Sequence, residues 1–428
     1  MRLPPPVAGP DQTVLPVPGP VHADGRPKTL ISGLRYARLL DDELRQLAGH
    51  AAHPNRTLAY PHVVLAHLLA FFTPVLTSLR KIEDAFEIPS LRKHVGTPRV
   101  PKSTLADAQR LFDPALLLPL IEQLKQRVTA CPHDARLDEF TEKLIAVDGT
   151  FFAVAPRIAW ALFQQTTKAD SDRPIRKAHV RGHFHFDIRR GIPDFVTLTD
   201  GQAVEADQLK LALQADCFYI IDRGFENYHL LQDILNLNGH FVVRLRKTAS
   251  LRVEENRPLT ADDLAAGVRS DAAVRVGWRE NSSPISQTLR CVTVAAENPD
   301  DEPLRLLTHR TDLPAALIAL IYRHRWQIEL FFRWLKCMAG FRHFFSESQQ
   351  GMTLQIYVAL IATLLLAVET GGKPSSYDYA LMSLAVGGRA SIEECLLVAA
   401  RRRNRCRRDA ARAKQRAAER AAAQKNLH

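Results

Sequence analysis

The chain predicts an α/β protein: a mixed sheet flanked by helices, with a helical domain before it and a β-rich insertion within it. Three observations predict this class. Apolar residues recur at helical spacing ahead of Lys143. Near Lys143 the period changes to apolar or alternating runs typical of strands. From Gln202 onward strand-like and helical segments alternate.

With 428 residues the chain has room for about three domains. Hydrophobic residues at 46% and charged residues at 24% lie near the globular average, which excludes a wholly disordered chain and a disulfide-stapled mini-protein. Residues 1–28 are rich in proline and have no apolar core, so they predict a disordered leader rather than a signal peptide. Residues 29–134 predict a helical domain that could read DNA. Leu65, Leu68, Leu69 and Phe72 share a helical face, Ser78 opens a helix with Leu79, Ile82 and Phe86 on one side, and Ser103 is placed to cap a helix running to Phe112.

Residues 135–247 hold the first part of the sheet. LIAVDGTFF, RIAWALF, AHVRGHFHFDI, DFVTLTDG, CFYIIDRG and HFVVRLRK read as strands, with helical spacing between Gln202 and Gln214 and between Glu226 and Leu237. Residues 248–302 predict the insertion, with strand-like runs VRVGWRE and TLRCVTVAA. Residues 303–372 return to the core through LRLLTHR and one long helix from about Pro314, capped by Asp312. The apolar runs Val63–Leu76 and Ile356–Val368 fall short of the roughly 20 residues that span a bilayer, and are expected as buried core helices.

Residues 373–428 predict a C-terminal helical region ending in a basic tail. The chain carries 57 Lys+Arg against 46 Asp+Glu, a net charge of +11. From Arg401 onward eleven basic residues face only Asp409 and Glu419, so the tail accounts for most of that excess. It is expected to be helical only when its charge is neutralised, and to bind an anionic partner without regard to sequence. The six cysteines are widely spaced, with no metal-type pattern, as in a reducing, cytosolic protein.

Two acidic residues stand out by position. Asp148 follows LIAV and precedes Gly149; Asp222 follows FYII and precedes Arg223 and Gly224. Carboxylates at the carboxyl ends of strands face the crevice where ligands bind, and are hard oxygen ligands suited to Mg²⁺. An Asp-Gly pair also simply makes a turn. In IYRHRWQIELFFRWLKC, at about 100° per residue, Tyr322, Arg325, Glu329 and Lys336 lie within roughly one 60° stripe of a largely apolar helix. A polar stripe in such surroundings needs partners; the plainer alternative is an Arg325–Glu329 ion pair along the helix. His183 and His185 alternate on one strand face and are expected in the core rather than on a metal. Trp326 and Trp334 are expected in the core, and Trp278, beside Arg275 and Arg279, in surface packing rather than base stacking.

The spacing Y-x2-R-x3-E-x6-K at Tyr322, Arg325, Glu329 and Lys336 resembles the signature of DDE transposases of bacterial insertion sequences. VDGT around Asp148 and DRGF around Asp222 are similar to the two aspartate motifs that precede that signature. The strand-rich segment before Glu329 resembles the β insertion of many members, and QIYVALIATLLL resembles their following helix. The resemblance covers roughly residues 143–368. It implies an RNase H-like catalytic core in which Asp148, Asp222 and Glu329 ligate two Mg²⁺ ions, with Mn²⁺ able to substitute, and in which Tyr322, Arg325 and Lys336 contact DNA phosphates. It further implies cleavage and strand transfer at an element's terminal repeats, target DNA as a second partner, a homodimer on paired ends and a bacterial, nucleoid-associated protein with no membrane partner. The rival expectations are a metal-dependent nuclease or recombinase of the same fold, and a transposase-derived DNA-binding protein that no longer cuts; the intact acidic set and Lys336 argue against the latter.

Overall fold

The computed structural model describes residues 58–425 apart from 74, 96–97, 129–133, 156, 168–173, 277–284, 297, 299, 339–342 and 387–388, together with Leu44 and Leu47. The expected leader, the start of the helical region at Thr29, and Trp278 with Arg279 lie outside the described residues. The chain divides into two compact units, one of 1–128, 338–340 and 345–428 and the other of 129–337 and 341–344.

The first unit is helical. Helix α1 (Tyr60–Phe72) carries Pro61 in its first turn and is buried along almost its whole length, because Val63, Val64, Leu65, Leu68, Leu69 and Phe72 leave it no polar face. Its one buried polar side chain, His67, is satisfied by the Val63 carbonyl at 2.7 Å and Gln109 at 2.7 Å. Helix α2 (Leu79–Phe86) begins at the expected cap, with Ser78 Oγ accepting from Lys81 N at 3.3 Å, and buries Leu79, Ile82 and Phe86. Helices α3 (Pro89–Val95), α4 (Lys102–Leu111) and α5 (Leu118–Arg127) follow. Ser103 is not a cap: Pro101 holds that position, with its fixed φ, and Ser103 sits in the first turn of α4.

The second unit is built on a ten-stranded mixed sheet. Strands β1 (Lys143–Val154), β2 (Leu162–Thr167), β3 (Pro174–Asp187) and β4 (Ile192–Asp200) precede helix α6 (Glu205–Leu211). Next come β5 (Cys217–Ile221), α7 (Tyr228–Asn236), β6 (His240–Arg244), β7 (Leu251–Asn256), α8 (Ala261–Ala265), β8 (Val268–Val276), β9 (Leu289–Val294) and β10 (Leu304–Thr308). The order is β2-β3-β1-β5-β6-β10-β9-β8-β7, with β4 also on β3. Strand β1 runs antiparallel to β3 and parallel to β5, and β5 runs parallel to β6. RIAWALF is a strand only in its last residues, since its start forms a 3₁₀ turn at Ala159–Ala161. The segment 248–302 contributes three strands rather than two, and they continue the same sheet through β9 and β10.

Helices cover both faces. On one, Ile145, Val147, Tyr219, Ile221 and Phe241 pack with Leu230, Leu231 and Ile234 of α7. On the other, Phe184 and Phe186 meet Phe331 and Phe332. Those two phenylalanines belong to the second of two helices, α9 (Ala315–His324) and α10 (Trp326–Met338), where one long helix was expected. The break falls at Arg325, whose N–H bonds to the Tyr322 carbonyl at 3.0 Å while its own carbonyl accepts from Ile328 N at 3.1 Å, a tighter turn than an α-helix. Nor does Asp312 cap α9. It is held by Arg310 at 2.7 and 2.8 Å, and the α9 N-terminus is capped from the insertion, where Asp263 Oδ1 accepts from Ala316 N at 2.7 Å.

The chain then returns to the helical unit through α11 (Gln349–Thr370), α12 (Ser376–Val386) and α13 (Ile392–Lys425). At 22 residues α11 is longer than its apolar run suggested, because Ser348 starts it upstream and Gly371, at φ 62°, stops it. By length and apolarity it could cross a membrane, yet its side chains are buried against α1 and α5. The basic tail is helical as far as Lys425. Ser391 and Glu394 cap each other's backbone at the start of α13, and Ile392, Cys395 and Ala399 are buried at its base, so packing nucleates what the alanine-rich run extends.

Candidate active site

Asp148 lies near the carboxyl end of the β1–β5 pairing, and Asp222 is the first residue past β5. Parallel pairing of Val147 with Ile221 puts the two aspartates side by side at one sheet end, 74 positions apart in sequence. Asp148 stands opposite Phe184 on the face covered by α10, which brings the third acid, Glu329, to it.

Arg325 joins them. Its Nη2 donates to Glu329 Oε1 at 2.7 Å and its Nη1 to Asp148 Oδ2 at 3.3 Å, with only 11% of its side chain exposed. Its Nε has no hydrogen-bond partner among the described residues. Tyr322 donates from its hydroxyl to Asp222 Oδ1 at 3.0 Å, and Arg244 lies 3.8 Å from the same oxygen. Lys336 lies further along α10, its Nζ 5.6 Å from the centre of the Phe152 ring, four residues beyond Asp148 on the same strand face. The turn at Arg325 therefore keeps Tyr322, Arg325 and Glu329 together although the helix is broken.

Burial pushes the Asp148 carboxyl up to about 6. Arg325 and the Gly149 N–H oppose that rise, while Glu205 and Glu329 add to it. Burial also raises Glu205, with Asp222 adding to the rise and Arg181 opposing it. Tyr322 is raised by burial and by the neighbouring Asp222. Burial acts to lower Arg325, but Tyr322 and the carboxylates around it outweigh burial and hold it above its ordinary value.

Asp148 is thus raised chiefly by burial, and the oxygens of all three acids are hard donors that fit divalent ions such as Mg²⁺. Among the described residues no three His, Cys, Asp or Glu side chains already stand together as a ligand cluster, because Asp148 and Glu329 close on Arg325 and Asp222 closes on Tyr322. His183 and His185 are core histidines, the first bonded to Thr199 Oγ1 at 2.8 Å and the second packed on Phe195 and Tyr219.

A cavity of about 1010 Å³ opens beside the site, lined in part by Arg223, Arg244, Arg305, Tyr322, Arg323 and Trp326. Trp326 is 51% exposed there rather than in the core, because it lies on the side of the helix opposite Ile328, Phe331 and Leu335. Trp334 does pack inward, stacked on Phe331. Arg244, Arg181 and Glu205 carried no signal in the sequence. They reach the site by strand register and by the placement of α6, which no local spacing encodes.

A family model described as a transposase DDE domain matches residues 139–365. A putative transposase (y4zB) of Sinorhizobium fredii is 32% identical over 195 residues, 44% of this chain and 54% of that protein, so the match spans about half of that relative's length. A probable transposase for insertion sequence element IS5377 of Geobacillus stearothermophilus is 21% identical over 79% of this chain and 84% of its own. The transposase InsG for insertion sequence element IS4 of Escherichia coli is 25% identical over 55% and 53%. Among solved structures, a piggyBac transposase synaptic complex with hairpin DNA is similar at a TM-score of 0.39 and 9% identity, over 90% of this chain and 87% of that one.

Proposed function

The chain belongs to the family of proteins with a transposase DDE domain, and from that premise we propose that it cuts DNA at the ends of an insertion sequence and joins those ends to new target DNA. In this proposal Asp148, Asp222 and Glu329 hold two divalent ions, Mg²⁺ or Mn²⁺, within an RNase H-like core. The strand order β3-β1-β5-β6, antiparallel and then parallel, supports that core. The single observation that carries the proposal is the convergence of three acids, distant in sequence, on Arg325 and Tyr322 at one end of the sheet.

When bound, divalent ions supply Lewis acidity to the attacking and leaving oxygens of a phosphodiester. The chain's own residues do the rest. Arg325 bridges Asp148 and Glu329, and Tyr322 orients Asp222. With a divalent ion held by the carboxylates, the Arg325 guanidinium would pair with a phosphate through a bidentate fork, and Lys336 would add a point charge further along α10. Arg223, Arg244, Arg305 and Arg323 on the cavity wall would suit the phosphate backbone of flanking DNA, with the carboxylates of Asp300, Asp301 and Glu302 elsewhere on the same lining. The protein would act in the bacterial cytoplasm, on the nucleoid, as a homodimer on paired ends, with the helical unit as its candidate reader of the terminal repeats.

Purified protein should be incubated with Mg²⁺, a target plasmid and DNA carrying the flanking ends of its own gene, and the products mapped. End cleavage followed by joining is the expected result. Cleavage without joining would make it a nuclease, and binding without cleavage a DNA-binding derivative.

A further inference from the structure

Behind the aspartates lies a second ion pair. Glu205 opens α6, and its Oε1 is 2.8 Å from Arg181 Nη2; the two side chains are only 16% and 19% exposed. Arg181 is itself fixed on β3, donating from Nη1 to the Ala203 carbonyl at 3.2 Å and lying 4.6 Å over the Phe151 ring.

Successive residues of a strand face opposite sides. Asp148 faces α10, so Gly149 faces the other side, and there it meets Glu205. A Cβ at Gly149 would overlap Glu205 Oε1 and approach Arg181 Nε to 3.1 Å, and a Cβ at Gly224 would come within 3.1 Å of Glu205 Oε2. One carboxylate therefore seats an oxygen against each backbone that carries a site aspartate, one residue past Asp148 and two past Asp222. At Gly149 any side chain would force the Glu205 carboxylate to move, and at Gly224 it would crowd it.

We propose that Glu205, clamped by Arg181, is a positioning residue that keys the Asp148 and Asp222 backbones together from the opposite face of the sheet and so sets the spacing of the two carboxylates for metal. The inference rests on those aspartates acting as joint metal ligands. It assigns Glu205 no direct contact with the reacting atoms. Partners that orient metal ligands typically change metal affinity ten- to a hundredfold when altered.

The test is Mn²⁺ binding to the full chain without DNA, measured by calorimetry, for wild type, Glu205→Gln, Gly149→Ala and Asp148→Asn, with melting temperature read in parallel. Glu205→Gln keeps the shape of the side chain and removes its charge. Gly149→Ala keeps the charge and displaces it. Both are expected to weaken Mn²⁺ binding roughly ten- to a hundredfold, and Asp148→Asn to abolish the tighter binding. A purely structural role would lower the melting temperature and leave Mn²⁺ affinity alone. If wild type binds Mn²⁺ and Glu205→Gln and Gly149→Ala bind it equally well, Glu205 positions nothing. Wild type that takes up no Mn²⁺ overturns the metal-dependent function and this inference with it.

Discussion

Around Asp148 a few charges are largely buried and each is paired within the fold, whereas along α13 arginines such as Arg405, Arg407, Arg408 and Arg412 face solvent with no acid to match them in number. The difference lies in what a single charge is worth. A buried pair cannot lose one member without stranding the other. An exposed cation contributes little alone, and only the sum over a run shows, as salt-dependent affinity for a polyanion. The proposed function thus assigns chemistry to the first region and bulk affinity to the second.

The largest effect should come from the acids. Asp148→Ala, Asp222→Ala and Glu329→Ala are each expected to reduce end cleavage by roughly a thousandfold or more, since Lewis-acid stabilisation is worth several kcal/mol at about 1.4 kcal/mol per tenfold. DNA binding by gel shift should change little. Losses should not add in double variants, because the ligands act as a unit. A single variant that cleaves normally in Mg²⁺ removes that residue from the site.

Arg325→Ala sharpens the contrast. Without metal it leaves Asp148 and Glu329 facing each other uncompensated, and removing one partner of a buried pair costs about 3 to 5 kcal/mol. Because a divalent ion can replace that charge, Mg²⁺ should raise the melting temperature of Arg325→Ala more than that of wild type. Equal shifts would mean that Arg325 and metal do not share the carboxylates.

Titration gives a smaller effect. Asp148, raised to about 6 against an ordinary value of 3.8, binds a proton more readily folded than unfolded. Its protonated form contributes stability that is fully present below about pH 4 and lost as pH rises through 6. Asp148→Asn, melted without metal, should therefore match wild type in acid and exceed it by about 3 kcal/mol above pH 7. Metal competes with that proton, so Mn²⁺ affinity of the wild type should fall as pH drops through 6. A flat difference between the two proteins from pH 4 to 8 would leave Asp148 unperturbed.

What could be read from the sequence follows the same division between local and distant. Asp148 and Asp222 are visible because each ends an apolar strand run, and Tyr322, Arg325 and Glu329 because steps of three and four residues hold each within reach of the next. The break at Arg325 was not visible, since its helical φ and ψ differ from a continuous helix only in the hydrogen-bond pattern. Strand β7 escaped because its residues are exposed and charged and give no apolar alternation. Asp263 as the cap of α9, and the Arg181–Glu205 pair, depend on strand register and helix placement over tens of residues.

The smallest effect per residue lies in the tail, and it tests the other half of the comparison. Residues from Arg401 onward carry eleven basic side chains against two acids, on a helix whose base is buried at Ile392, Cys395 and Ala399; of the eleven, Arg402 lies over the Tyr377 ring and Arg403 3.8 Å from Asp378, beside that base. A chain ending at Ala400 should keep that base and its fold. Each phosphate contact contributes about 0.9 to the slope of log affinity against log salt, so loss of even four or five engaged residues would flatten the slope on random duplex by roughly 4. Cleavage of ends already bound should survive, because none of the carboxylates or their partners is touched. The measurement is fluorescence anisotropy on random duplex at several salt concentrations for both chains. An unchanged slope would assign the non-specific affinity to the arginines of the cavity wall instead, and the two regions would then no longer divide chemistry from affinity.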